Sequence, residues 1–344
     1  MSPPPPTSDP FISVLLPVRN ETAEYLACLD SIAAQDYPLE RVEVIVADAS
    51  DEARDRDAPP ANLAVRVLRN PDRLMSRGLN LAAGSARGSF LAIVSAHSEL
   101  PRTYLRSMVQ IAERTGADNI GGFVEKVGVG PWGRAIAAAT SSPFAVGNAV
   151  QHHGAAPGIV DSAFPGFIRK SAFDRVGGFD PRLACNEDDA FNARLREAGG
   201  RVWYEPTVAV RYRPRESLAG AFRQHARYGR WKLAVARTGL RGYLRWRHFV
   251  PSLTVLAAIA LPAIAVIAPG VALWVAVLPA AYVAAAAAEA IRLSPRYGAS
   301  PWRTVVVFPV IHAGYGLGFL RGVLDRGVPV EGRSADTSRQ PGSG

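Results

Sequence analysis

Apolar positions along the chain change their spacing at regular intervals, and that rhythm predicts the elements. Phe11–Pro17 is a short apolar run closed by proline, the mark of a buried strand ending in a turn. Glu21–Gln35 then carries Tyr25, Leu26, Leu29 and Ile32 at helical spacing. Val42–Ala47 predicts a second strand, Ala64–Leu68 a third, Ser76–Ala86 a helix and Phe90–Val94 a fourth strand. Alternation of this kind implies right-handed βαβ units and a mainly parallel sheet, so the fold class is α/β. Ligands of such sheets sit beyond the carboxyl ends of the strands. Those ends are Pro17–Glu21, Asp48–Asp51 and Ser95–His97, which should converge on one crevice.

Further on, Leu100–Thr115 predicts a helix, and Gly121–Ala163, rich in Gly and interrupted by Pro, predicts mobile loops. Glu187–Ala198 predicts a helix, Arg201–Tyr204 a strand and Ser217–Thr238 a long basic helix. From Phe249 the pattern changes: segments 249–268 and 270–291 hold almost no charges and are long enough to cross a bilayer. A third segment, 304–324, is less apolar, carries His312 and repeats Gly314, Gly318 and Gly322 every four residues, the spacing of close helix packing. The expectation is a third span packed on the hairpin of the first two, its direction left open. The domain reading is a disordered lead at 1–10, an α/β domain at 11–240, a membrane domain at 241–325 and a disordered tail at 326–344.

Charge sharpens this picture. The 344 residues carry a net charge of +9 with a pI near 9.9. The basic residues gather in Arg211–Arg215, Arg223–Lys232 and Arg237–Arg247, just before the first apolar span, where an anionic cytoplasmic lipid face attracts them. No nucleic-acid module accompanies them, so nucleic acid is not the expected partner. Arg292, Arg296 and Arg303 after the hairpin place both its ends in the cytoplasm. Two isolated cysteines, Cys28 and Cys185, fit a reducing compartment. The first ten residues lack the apolar core of a signal peptide, so membrane targeting falls to the later segments.

Asn186-Glu187-Asp188-Asp189 is the segment that carries chemistry. Three adjacent acids are costly unless solvated, cation-bound or used. They stand at a helix N-terminus, which the macrodipole favours, so an acidic cap and a general base for an acceptor hydroxyl are both open.

Context decides between them. Phe164-Pro165-Gly166-Phe167 and Arg175-Val176-Gly177-Gly178-Phe179-Asp180 precede the acids. Arg194-Leu195 and Arg227-Tyr228-Gly229-Arg230-Trp231 follow, and Pro17-Val18-Arg19-Asn20-Glu21, Asp48-Ala49-Ser50-Asp51 and Arg77-Gly78-Leu79-Asn80 lie upstream. Over residues 11–235 the order resembles the family-2 inverting glycosyltransferases with a GT-A fold. Ser95-Ala96-His97, Arg227–Lys232 and His312–Gly316 resemble the branch of succinoglycan-type membrane-anchored glucosyltransferases.

That resemblance implies a nucleotide-sugar donor, UDP-linked by analogy, and a polyprenyl-diphosphate-linked acceptor in exopolysaccharide or cell-surface glycan synthesis. It also implies a cytoplasmic catalytic domain on a multi-pass protein of the inner membrane, working beside other polysaccharide-assembly proteins. It assigns Pro17, Arg19, Glu21, Asp48 and Ala96 to the donor nucleotide and Arg77 to its diphosphate. Asp188 becomes the base and Glu187 its partner. Arg227, Arg230 and Trp231 become the grip on leaving diphosphate and acceptor. The family's divalent cation, Mg²⁺ or Mn²⁺, binds at the end of the fourth strand through Asp-x-Asp. Here Ser95 replaces the first Asp, and a hydroxyl is a poor ligand beside carboxylate, leaving His97 as the one candidate. Two rivals follow. A processive polysaccharide synthase is disfavoured by the few spans and by Arg227, where such enzymes carry Gln. A non-catalytic sugar-nucleotide binder is suggested by Ser95.

Overall fold

A computed structural model describes residues 9–51, 59–147, 149–240, 243–268, 270, 272–325 and 327. Most of the lead, nearly all of the tail and the Pro269 link between the first two spans lie outside the described residues.

The first half is a three-layer sandwich. Strands β1 (Ile12–Val18), β2 (Val42–Asp48), β3 (Ala64–Arg69) and β4 (Phe90–Ile93) run parallel in the order β3-β2-β1-β4. Beyond β4 come β8 (Phe167–Arg169), antiparallel to it, then β6 (Asn119–Lys126) and β9 (Val202–Tyr212), which pair with each other in parallel. Two short strands, β5 (Ser98–Glu99) and β7 (Gly158–Ile159), pair antiparallel with β9. The long ladders are the parallel ones.

Alternation along β1 and β2 divides the core. Val14, Leu16, Val44 and Val46 face helices α1 (Ala23–Ala33) and α3 (Tyr104–Thr115), where Tyr25, Leu29, Ile32 and Met108 are sealed from water. Leu15, Ile45 and Ala47 face the opposite layer: α2 (Met75–Gly84), α7 (Lys170–Arg175) and α8 (Glu187–Glu197). There Phe173, Phe179 and Phe191 meet as a triangle with centroids 5.2 to 5.5 Å apart.

Residues 121–163, expected as loops, are mostly ordered elements. β6 continues to Lys126, then α4 (Gly130–Ala139), α5 (Pro143–Val146) and α6 (Val150–His153) follow before β7. The glycines misled: at Gly122 and Gly128 an added Cβ would lie 2.3 and 2.2 Å from the carbonyl oxygens of Val208 and Gly133, so they mark close packing. Ala135, Ile136 and Ala139 of α4 are buried against the C-terminal helices.

After β9, α9 (Leu218–Ala236) leads to α10 (Val250–Ile267), α11 (Ala272–Leu293) and α12 (Pro301–Leu324). Among the described residues three helical stretches are long and apolar enough to cross a membrane: Val250–Ile267, Ala276–Tyr297 and Pro301–Leu324. They differ in surroundings. The first two expose Leu253, Ile259, Val266, Leu278 and Val283, whereas half of the third is buried in protein.

The glycines of α12 do not pack on the hairpin as expected. Cβ atoms at Gly314, Gly318 and Gly322 would meet the carbonyl oxygens of Phe222, Ala226 and Arg230 at 2.6, 2.0 and 2.8 Å, all on α9. Gly229 of α9 answers with a gap of 2.1 Å to the carbonyl of Tyr315. Contacts advance together along both helices, so α9 and α12 are parallel and nearly backbone to backbone. Gly316 faces the hairpin, against Pro251 of α10.

Candidate active site

The strand ends converge as their positions predict. At the end of β1, Asn20 donates its backbone N–H to Ser50 Oγ (2.9 Å) and its side-chain amide to Asp51 (2.9 Å). Asp51 returns a backbone N–H to Asn20 Oδ1 at 3.0 Å. Asp48, 1% exposed, accepts the Ser50 amide at 2.9 Å and faces Arg69 at 3.4 Å. Glu21 reaches across to His97, with oxygen and Nε2 2.8 Å apart. Burial would raise the Glu21 carboxyl, but the bond to His97 and its charge outweigh that and hold it below its usual value. Arg19 projects into solvent; Ala96 is buried and Pro17 half-buried.

Three non-glycine residues among those described have left-handed backbone: Asn20 (φ 56°), Arg73 (φ 55°) and Asn186 (φ 59°). Each borders this region. Arg73 pairs with Asp51 at 2.8 Å, and Asn186 opens α8. Strain of this sort persists where surrounding contacts over-determine the backbone, and it gathers at functional sites.

The acids of α8 are presented by a loop clamped from two sides. From α2, Ser76 Oγ donates to the Leu183 carbonyl (2.6 Å) and Arg77 Nε to that of Pro181 (3.0 Å). Arg77 also pairs with Asp72 at 3.0 Å. From α9, Arg227 donates to the Ala184 carbonyl at 2.5 Å, and the Tyr228 carbonyl accepts from Asn186 Nδ2 at 3.2 Å. These backbone contacts fix where α8 begins.

Within the cluster the three carboxyls differ sharply. Lys232 lies 2.6 Å from Asp189 Oδ2, and the Tyr243 hydroxyl donates to the same oxygen at 3.4 Å. Burial opposes ionisation of Asp189, yet the Lys232 charge wins and holds its carboxyl low. Among the described residues Asp188 has no such ion-pair partner. Burial first, then the neighbouring charges of Asp189 and Glu187, push its carboxyl up to about 8. Burial also raises Glu187, with the Asp189 charge adding to it and Arg227 opposing. One carboxylate is therefore locked in a salt bridge while its neighbour keeps its proton to higher pH, a divergence of the kind found at acid–base sites.

Two expectations change. Trp231 is fully buried among Leu183, Cys185, Ala190 and Val235, so it seats α9 against the acidic loop and cannot clamp a ligand in this conformation. Arg230 is gripped by Asp325 beyond α12, through bonds of 2.7 and 3.1 Å. Lys232 and Tyr243 had no assigned role. They lie 43 and 54 residues from Asp189, a separation that leaves no local signal.

For a divalent cation, the residues beyond β4 form a poor cage. Ser95 Oγ accepts the His97 amide at 3.3 Å, His97 and Glu21 are engaged with each other, and Glu99 pairs with Arg211 and Arg213 at 3.2 and 3.4 Å. No three His, Cys, Asp or Glu converge among the described residues. This donor set does not fit a resident metal.

Comparison with known proteins agrees with the fold. Residues 13–176 match glycosyl transferase family 2. Over 325 residues the chain is 29% identical to the succinoglycan biosynthesis protein ExoA of Rhizobium meliloti, covering 91% of this chain and 94% of that one. It is 22% identical over 242 residues to a dolichyl N-acetyl-alpha-D-glucosaminyl phosphate 3-beta-D-2,3-diacetamido-2,3-dideoxy-beta-D-glucuronosyltransferase of Methanococcus voltae, covering 67% and 75%. Among solved structures, a mannosyltransferase of Pyrobaculum calidifontis in complex with GDP-Man and Mn²⁺ superposes with a TM-score of 0.58 at 21% identity, over 92% of this chain and 89% of that one.

Proposed function

We propose that the chain is a family-2 glycosyltransferase and that it transfers a sugar with inversion from a nucleoside-diphosphate sugar to a lipid-linked acceptor at the membrane surface. The observation that carries the reading is Asp188, a half-buried carboxyl of raised basicity beside the salt-bridged Asp189. Asp188 takes the proton of the acceptor hydroxyl. The oxygen attacks the anomeric carbon from the face opposite the diphosphate, and the bond to the diphosphate oxygen breaks with its electron pair. The proton ends on Asp188 and the nucleoside diphosphate departs. Glu187 and Asn186 orient the base. Asp48, Glu21 and the backbone from Pro17 to Arg19 hold the nucleoside, with Ala96 lining the floor. Arg77, fixed beside the loop by Pro181 and Asp72, faces the diphosphate. Arg227 braces the loop that presents the base.

Membrane attachment falls to α10 and α11, whose apolar side chains face outward. α12 does not cross. It runs backbone to backbone with α9, which carries Arg223, Arg227, Arg230 and Lys232. Charges of that number cannot share the hydrocarbon with it. The α/β domain, α12 and the C-terminus thus lie on one side, the cytoplasmic one by the basic residues that flank the hairpin. The acceptor reading follows from this seat at the leaflet. R. meliloti ExoA serves succinoglycan biosynthesis, and the M. voltae enzyme's name includes a dolichyl phosphate.

The test is release of nucleoside diphosphate from a panel of nucleotide sugars by the purified protein in lipid. Asp188→Asn should lower transfer by about 10²–10⁴-fold while donor binding stays near wild type. Full turnover by that variant overturns the assignment.

A further inference from the structure

Where the α/β domain meets the exit of α11, the chain encloses a small cavity far from the sugar-transfer machinery in sequence. Its volume is about 120 Å³, and its walls include Ser141, His152, His153, Arg292, Arg296 and Tyr297. Pockets that enclose drug-sized ligands run to roughly 300–1,000 Å³. This one is therefore too small for a nucleotide sugar and suits a compact polar group.

The lining says which group. Arg292 is already answered by Glu289, through bonds of 3.0 and 2.8 Å. Arg296 differs: it has no carboxylate partner among the described residues and lies over the rings of Phe123 and Tyr297, 5.8 Å from each centroid. Stacking of that kind holds a guanidinium in place and leaves its N–H fork for a ligand. His153 Nδ1 lies 3.1 Å from the Gly154 carbonyl, which can only accept, so the proton sits on Nδ1. His153 Nε2 and His152 Nδ1 are buried without a protein partner. Buried polar atoms left in this state call for an occupant.

The setting adds a source. Ile291, immediately before Arg292, is 66% exposed on the membrane hairpin. Trp302 is 58% exposed and stacks edge-on with Trp132 at 5.7 Å, while Arg303 lies 4.7 Å over the Trp302 ring. Trp and Arg in this company mark the headgroup level of a bilayer.

We propose that this cavity binds a phosphate group, delivered by an anionic membrane lipid, and so locks the catalytic domain against the leaflet at a second point beside the hairpin. Arg296 makes the charged contact. Basic pockets at the foot of membrane helices bind headgroups in this manner. The proposal rests on the membrane placement of α10 and α11 but not on the identity of the sugar donor.

The test uses the full-length protein in neutral detergent, with native mass spectrometry counting bound phosphatidic acid against phosphatidylcholine, and inorganic phosphate as a competing probe. Wild type should retain one phosphatidic acid, and Arg296→Gln should weaken it by about ten-fold or more. Because Arg296 is exposed, the melting temperature of the variant should match wild type, which separates loss of binding from loss of fold. Displacement by inorganic phosphate supports the pocket as a phosphate site in its own right. Lipid binding that phosphate does not displace supports the pocket with the bilayer as its source. Equal binding of both lipids, or unchanged binding in both Arg296→Gln and Arg292→Gln, overturns the proposal. Extraction of the protein from membranes by a carbonate wash would instead sink the membrane placement and leave the inorganic-phosphate measurement standing.

Discussion

Lys232 Nζ and Asp189 Oδ2 stand 2.6 Å apart, so the last acid of the Glu187–Asp189 segment is tied to the helix that docks on α12. The Lys232 ammonium also lies 4.9 Å over the Tyr243 ring. Both partners of the pair are largely withdrawn from water, with side chains 14% and 27% exposed. Removing one partner of such a pair strands a buried charge at a cost of about 3–5 kcal/mol. Lys232→Met should therefore be strongly destabilised by denaturant titration, and Lys232→Met with Asp189→Asn should recover most of that loss. In the double variant the Asp189 charge no longer opposes ionisation of Asp188, so the rising limb of the pH–rate profile should move to lower pH. A destabilised double variant, or an unmoved profile, contradicts the role given to this pair.

Asp188 links activity and stability with opposite signs. Its ordinary carboxyl value is 3.8 and the fold lifts it to about 8. The folded state then binds the proton more tightly than the unfolded chain, so the contribution of Asp188 to stability is full below pH 3.8 and is lost as pH rises toward 8. Transfer needs the ionised form and should rise with pH over the upper part of that window, about ten-fold per pH unit. Asp188→Asn should accordingly melt higher than wild type at pH 8.5 and show little difference at pH 5. Calorimetry at the two pH values decides it, and a variant that melts lower at pH 8.5 refutes the burial argument.

Gly318 leaves no space at the α9–α12 seam, where a Cβ would approach the Ala226 carbonyl oxygen to 2.0 Å. Overpacking of this sort costs about 1–3 kcal/mol. Gly318→Ala should lower the melting temperature in detergent and reduce transfer, because α9 holds the acidic loop through Arg227 and Tyr228. Gly270→Ala, in the hairpin link where nothing lies within 4 Å, should leave both unchanged.

The seating of α12 on α9 predicts the side of the C-terminus. A reporter fused after residue 344 should be active on the face that holds the α/β domain, and a cysteine introduced in the link at residue 270 should be labelled from the opposite face. Labelling of both positions from the same side would show that the hairpin does not cross.

Period and order in the sequence determined a good deal. Alternation in β1 and β2, helical spacing around Tyr25 and Leu29, and the uncharged stretches after Phe249 each report a local demand of strand, helix or hydrocarbon, and each is met within a few residues. The acids from Glu187 to Asp189 were visible as a cluster for the same reason. What pairs across the chain was not. Only the tertiary structure decided that Lys232 neutralises Asp189 and not Asp188, that Trp231 is core, and that Arg230 closes on Asp325. It likewise turned the glycines of α12 toward α9 and away from the hairpin. Close packing and charge compensation depend on which backbones meet in space, and no spacing along the chain encodes that.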